Sequence, residues 1–232
     1  MLESLQTVFA SGELAFPVWL TLRACACGLV LFVLLAVPLA FYTARSKSLL
    51  SKCLLFASTL PLIFPPVALG YLLLLLLGRN GLLGAPLFAA TGLRLIFSEP
   101  AVYLAAFIAG LPLIVRPVRE AFTSPRMRDL EEAARICGLG PMQVFLSVSL
   151  PLARNAIASA LLLALARCAG EVGITLMLGG NIEGRTTTLS LEIFNAVGRG
   201  DFDLATGLCI VLAAIAVSLY GLLQLSRKEQ SL

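Results

Sequence analysis

The chain contains no histidine and little charge: only 13% of its 232 residues are Asp, Glu, Lys or Arg, about half of the roughly 25% usual in soluble domains. Six cysteines, Cys25, Cys27, Cys53, Cys137, Cys168 and Cys209, are scattered through apolar stretches at spacings that match neither a disulfide framework nor a zinc site. With no histidine beside them, no metal site is expected. Gly-x-x-x-x-Gly-Lys-Ser/Thr is absent, as is any Gly-Lys pair, so no P-loop binds ATP on this chain. Nor is there a paired nucleophile and base, which leaves no catalytic candidate. The residues before Pro17 hold Glu3 and Glu13 but no Lys or Arg, so no cleavable signal peptide is expected.

What the chain does have is apolar length. Hydrophobic residues make up 59% of it, and a helix crossing the hydrocarbon core needs about 20 mostly apolar residues in a row. Residues 24–44, 53–78 and 204–226 meet that length without a charge. Residues 100–115 form a shorter apolar run, and 155–179 is interrupted only by Arg167 and Glu171. The expectation is an all-α polytopic membrane protein with five spans, or six if the first sixteen residues or 85–97 also enter the membrane.

Lys and Arg fall unevenly on the two sides of such a chain. One side holds Arg45, Lys47, Lys52, Arg116, Arg119, Arg126, Arg128, Arg135, Arg227 and Lys228; the other holds Arg79, Arg94, Arg185 and Arg199. The net charge of +4 is therefore a topology signal rather than a nucleic-acid footprint. The positive-inside rule puts the richer side in the cytoplasm, with the N-terminus outside and the C-terminus inside.

Within the second span, Pro61, Pro65 and Pro66 remove backbone hydrogen bonds and must bend or interrupt the helix. Interrupted backbone at membrane depth is tolerated only against protein or a water-filled cavity. A pathway-lining segment and a kink that aids packing both meet that condition. In the fourth span Arg167 and Glu171 lie four residues apart and so on one helical face, where each can satisfy the other's charge. Intramembrane charges face a bundle interior or a cavity, which fits a structural bridge as well as a translocation path. Asn181 to Arg185 reads as an exposed turn.

The one sizeable polar region, 124–151, is organised. Ser124-Pro125 is a helix start, with proline at the first helical position. Leu130, Ala133, Ala134 and Cys137 fall on or near one face of the helix that follows, and Asp129, Glu132 and Arg135 elsewhere. Gly138-Leu139-Gly140-Pro141 breaks it, a second short helix follows, and Leu150-Pro151 closes the segment. Such a helical pair is too short for its own core and wants a partner surface or lipid.

Glu132-Ala133-Ala134, Gly138, Val148 and Leu150-Pro151 stand at the spacings of the EAA loop of ABC importer permeases, which this segment resembles. Residues 60–71 resemble the second span of molybdate permeases, and so do Ala166 to Thr175 and Gly180 to Gly184, with departures at Val172, Ile174 and Glu183. The resemblance extends from about Arg23 to the C-terminus.

It implies a type I ABC importer permease fold, one transmembrane domain over 1–232 in the bacterial inner membrane, with 124–151 as the cytoplasmic coupling loop. Implied partners are a second copy of the chain, cytoplasmic ATPase subunits that use ATP and Mg, an extracytoplasmic oxyanion-binding protein and membrane lipid. The chain itself would hold no cofactor, and nucleic acid is not a partner. Glu132, Ala133, Ala134, Gly138, Leu150 and Pro151 would form the coupling loop. Pro61, Pro65, Pro66, Arg167, Glu171, Thr175 and Asn181 are the candidates for a path or gate. The implied cargo is molybdate, with tungstate inseparable from it, and the runner-up is sulfate or thiosulfate. An ion-coupled secondary transporter, with Glu171 as the ion site, is the other rival, but it gives no reason for the EAA loop and no internal repeat supports it.

Overall fold

A computed structural model describes residues 15–228 of the chain, with side chains through Ser218. Ten helices span the described residues. The first, α1, runs Ala15–Arg45. A broken pair follows, α2 (Leu49–Ile63) and α3 (Pro66–Leu77), then the short α4 (Gly84–Thr91) and the long α5 (Glu99–Thr123). Next come α6 (Pro125–Ile136), α7 (Pro141–Ala169) and α8 (Gly173–Gly179). The last two are α9 (Leu189–Gly198) and α10 (Phe202–Lys228).

The five apolar runs in the sequence become α1, α2 with α3, α5, α7 with α8, and α10. Of these, α1, α5 and α7 are each long and apolar enough to cross a membrane as one helix. Residues 85–97 form the short helix α4 and a loop, and add no long helix. The expectation for the first sixteen residues lies outside the described residues, except that α1 already starts at Ala15.

Helix α5 is the hub. Ala101, Ala105, Ala106, Ala109 and Gly110 are buried along it, and small side chains let neighbouring backbones come close where lipid supplies no hydrophobic drive. Gly110 is the tightest case: a Cβ there would stand 2.3 Å from Cζ of Phe32 in α1. Phe32 in turn stacks on Phe107 with ring centroids 5.5 Å apart.

Polar contacts fix the direction of each pass. Toward one end, Arg23 pairs with Glu99 at 3.3 Å, and the Leu189 amide donates to Thr21 Oγ1 at 2.9 Å. Toward the other, Arg119 Nε donates to the Thr43 carbonyl at 3.3 Å, Arg45 pairs with Glu131, and Ser149 Oγ donates to Glu131 at 2.5 Å. Thus α1 and α5 run parallel and α7 runs against both, with Cys168 Sγ 3.0 Å from the Ala106 carbonyl.

Two helices contain a π turn, Phe32–Ala36 in α1 and Phe145–Ser149 in α7. Each is followed by proline two residues on, Pro38 and Pro151. A proline ring collides with the carbonyl four residues back in a regular helix, and the wider turn accommodates it without ending the helix. Leu150-Pro151 therefore does not close the polar segment. The helix beginning at Pro141 continues through it to Ala169.

The thiols are free, with Cys25 and Cys168 buried and Cys27, Cys53, Cys137 and Cys209 exposed.

Candidate functional site

Helix α6 is capped at both ends by the residues singled out in the sequence. Ser124 Oγ accepts the Met127 amide at 3.3 Å, with Pro125 as first helical residue. At the other end Gly138 takes φ +88°. Its amide donates to Arg135 O at 2.9 Å and that of Leu139 to Ala134 O at 3.2 Å, the paired bonds of a Schellman turn.

The two faces of α6 differ in burial. Met127, Glu131 and Ala134 turn inward, while Leu130, Glu132, Ala133 and Cys137 are exposed. The helix thus presents apolar side chains outward: Ile136 is 81% exposed, and Met142, just beyond the turn, is 69%. The spacing alone could not separate the faces, because both carry alanine and the buried one is held by a carboxylate. Beside this face lies a charged cleft of about 440 Å³ lined by Arg45, Arg128, Glu131, Glu132 and Arg135. Leu150 is half-buried and Pro151 exposed on α7.

The second constellation is a pair of broken helices laid side by side. The chain breaks between α2 and α3 at Phe64 and Pro65, and again between α7 and α8 at Gly170 to Val172. The two restarts touch: a Cβ on Gly173 would stand 2.7 Å from Pro66 Cβ and 3.0 Å from the Val67 nitrogen. One turn on, a Cβ on Gly70 would meet Met177 Cβ at 2.8 Å.

Glu171 sits in the second break, 2% exposed, and pairs with Arg167 as expected. The two do not share a helical face, because α7 ends at Ala169. Instead Glu171 Oε1 accepts the Ile174 amide at 2.7 Å and so caps α8, where the unsatisfied amides favour a carboxylate.

The remaining candidates lie at different depths. Pro65 and Pro66 are exposed at the first break, Pro61 is half-buried before it, and Thr175 is buried in the first turn of α8. Asn181 stands apart, beyond the far end of this roughly 10 Å helix. Its φ is +48° and its side-chain amide donates to Asn195 Oδ1 at 2.7 Å. Asn195 donates on to Glu192, whose other oxygen holds Arg199 at 2.7 Å. That hydrogen bond raises the Arg199 guanidinium above its usual pKa.

Residues 36–228 match the family of binding-protein-dependent transport system inner membrane components, a span that takes in α6 and both breaks. The chain belongs to this family. Relatives of this transport component are named molybdenum transport system permease protein ModB. The one from Azotobacter vinelandii is 34% identical over 206 residues, 87% of this chain and 90% of that protein. The one from Escherichia coli K12 is 38% identical over 176 residues, 75% of each. The one from Mycobacterium tuberculosis is 39% identical over 201 residues, 86% of this chain and 75% of that protein.

Two features of the transport component escaped the sequence reasoning. Glu131 is 3% exposed, pairs with Arg45 of α1 and accepts from Ser149 in the π turn of α7. It fastens α6 to two membrane helices at once. The doubled Glu131-Glu132 gave no such signal, because neighbouring side chains on a helix stand about 100° apart and both can face solvent. The other feature is the polar run Thr186 to Ser190, which closes the second break from behind. Ser190 Oγ donates to the Ala169 carbonyl at 2.6 Å, and Thr186 Oγ1 to that of Gly179 at 2.8 Å. Both carbonyls are left over at helix ends. Three consecutive threonines in an apolar chain were the available cue.

Proposed function

We propose that this transport component is the permease subunit of an ATP-driven importer carrying molybdate, and with it tungstate, into the cytoplasm. The observation that carries the proposal is α6, which offers an apolar face outward while Glu131 ties its inner face to α1 and α7. A push or pull on that face reaches the membrane helices without passing through a flexible linker. ATP binding in a partner biases the permease only if the partner grips one helix arrangement more strongly than the other, and α6 supplies a handle for that grip. Support for the cargo comes from relatives whose names specify molybdenum transport.

In this proposal, residues 1–232 form one permease domain that pairs with a second copy. Cytoplasmic ATPase subunits dock on residues 124–151 and hydrolyse ATP with Mg, and an extracytoplasmic protein delivers the oxyanion at the opposite end. The Lys- and Arg-rich end faces the cytoplasm, with the N-terminus outside and the C-terminus inside. The adjoining breaks, with Pro61, Pro65, Pro66, Arg167, Glu171 and Thr175, flank the path, and Asn181 lies toward its outer mouth.

The test is uptake of labelled molybdate at nanomolar concentration in cells lacking the chain and in cells with it restored, with and without excess sulfate. Restored uptake that resists sulfate is the expected result. Uptake abolished by sulfate would reassign the cargo to sulfate or thiosulfate, and uptake independent of the chain would overturn the molybdate assignment.

A further inference from the structure

At the end of the bundle opposite α6, a cavity of about 240 Å³ opens between the end of α3, the helix α4 and residues 93–97. Its wall is largely hydrocarbon, including Leu74, Leu77, Leu87 and Ile96. Two guanidinium groups converge on one aromatic ring there: the Cζ atoms of Arg79 and Arg94 lie 5.0 and 5.8 Å from the centroid of Phe88. Among the described residues neither arginine has a carboxylate partner. Both arginines line the cavity, so it carries two like charges that no carboxylate among these residues neutralises.

The cavity is built rather than incidental. Residues 78–84 fold back on the end of α3, with the Leu83 amide donating to Leu76 O at 3.0 Å, and a Cβ at Gly84 would collide with Gly78 O at 2.0 Å. On the other wall, Phe97 holds φ +60°, a costly conformation for a bulky residue that persists only where surroundings enforce it. Its amide donates to Leu178 O at 2.8 Å, and its ring lies where a Cβ on Gly180 would be, at 2.5 Å.

We propose that this cavity binds an anionic phospholipid, its phosphate on Arg79 and Arg94 and the upper part of an acyl chain along Leu74, Leu77 and Leu87. Amphiphile chemistry is what the site matches: cations at the mouth, hydrocarbon within. Leu72, Leu75, Leu82 and Leu83 are exposed on the same stretch, so the cavity continues onto an apolar surface. An acidic side chain of a docking protein would meet the arginines but leave the apolar interior unfilled. The proposal depends on membrane insertion and not on the cargo.

The test is native mass spectrometry of the full transporter purified with its partners, loaded in turn with phosphatidylglycerol, phosphatidylcholine and inorganic phosphate. The wild type should retain phosphatidylglycerol in preference to phosphatidylcholine. The double variant Arg79→Gln/Arg94→Gln should lose that retention by about a hundredfold, two charge-assisted contacts at about tenfold each. Leu87→Trp, which fills the cavity and keeps both charges, should lose it too, and serves if the double variant does not fold. Equal retention of the two lipids, or unchanged retention in a folded variant, would overturn the proposal. So would displacement of the lipid by inorganic phosphate alone, which would mean a simple anion site. Unchanged lipid retention with lost capture of the extracytoplasmic binding protein would make the surface a protein dock.

Discussion

Gly173 and Pro66 begin two different helices and meet with no room for a side chain between them: a Cβ on the glycine would lie 2.7 Å from the Cβ of the proline. Two interrupted passes are thereby held in register at their restarts. Gly173→Ala, ordinarily favourable in a helix, should here destabilise the protein by about 1–3 kcal/mol, as overpacking does, and reduce uptake. Thermal unfolding of the purified protein checks it, and a raised melting temperature would mean that the contact is not tight.

Glu131→Ala should be costlier than any substitution on the exposed face of α6. It leaves Arg45 and Ser149 without their acceptor, and breaking a buried pair costs about 3–5 kcal/mol. The low end applies, because the Arg45 side chain is 33% exposed. A double-mutant cycle with Arg45→Ala should return a coupling energy. Transport should fall further than docking of the ATPase, since the exposed face stays intact; equal loss of both would make Glu131 merely structural.

At Gly138 the backbone, not space, is limiting: φ is +88°, and nothing lies within 4 Å of the point where a Cβ would stand. Gly138→Ala should therefore cost about 1–2 kcal/mol of conformational strain and leave some uptake. Gly138→Pro removes the amide that bonds Arg135 O and cannot reach that φ, so uptake should vanish with co-purification of the ATPase. Glu132→Lys, on the exposed face, should do the same without unfolding α6. Normal co-purification in both variants would contradict the docking role.

Glu171→Ala removes the cap of α8 and the counter-charge of Arg167 together, and should impair folding or transport while α6 stays competent to bind its partner. Glu171→Gln keeps an oxygen for the Ile174 amide and loses only the charge. Folded protein with poor uptake is the expected result for Gln; full uptake would reduce Glu171 to a helix cap.

Much of this architecture was legible in the sequence because its signals are local. Charge-free runs gave the passes, Ser124-Pro125 and Gly138 gave both ends of α6, and consecutive prolines gave the first break. The second break was hidden, since Arg167 and Glu171 keep helical spacing while the backbone between them does not. Pro151 looked like a stop because a π turn, which carries no residue signature, was needed to absorb it. The inward face of α6 was not legible for a related reason. Burial there is decided by Arg45, 86 residues away along the chain, and no periodicity within the helix reports a distant partner.

The six free thiols amount to a depth gauge already installed in the protein. Cys137 ends a polar helix and is exposed, Cys27, Cys53 and Cys209 are exposed on apolar helices, and Cys25 and Cys168 are sealed in the interior. A charged, membrane-impermeant maleimide should therefore mark Cys137 first, and from only one side of the bilayer. A lipid-soluble reagent should add the second group, and only denaturation the third. The order in which the wild-type chain takes up label would report both the sidedness of α6 and the integrity of the bundle, with no engineered cysteine required.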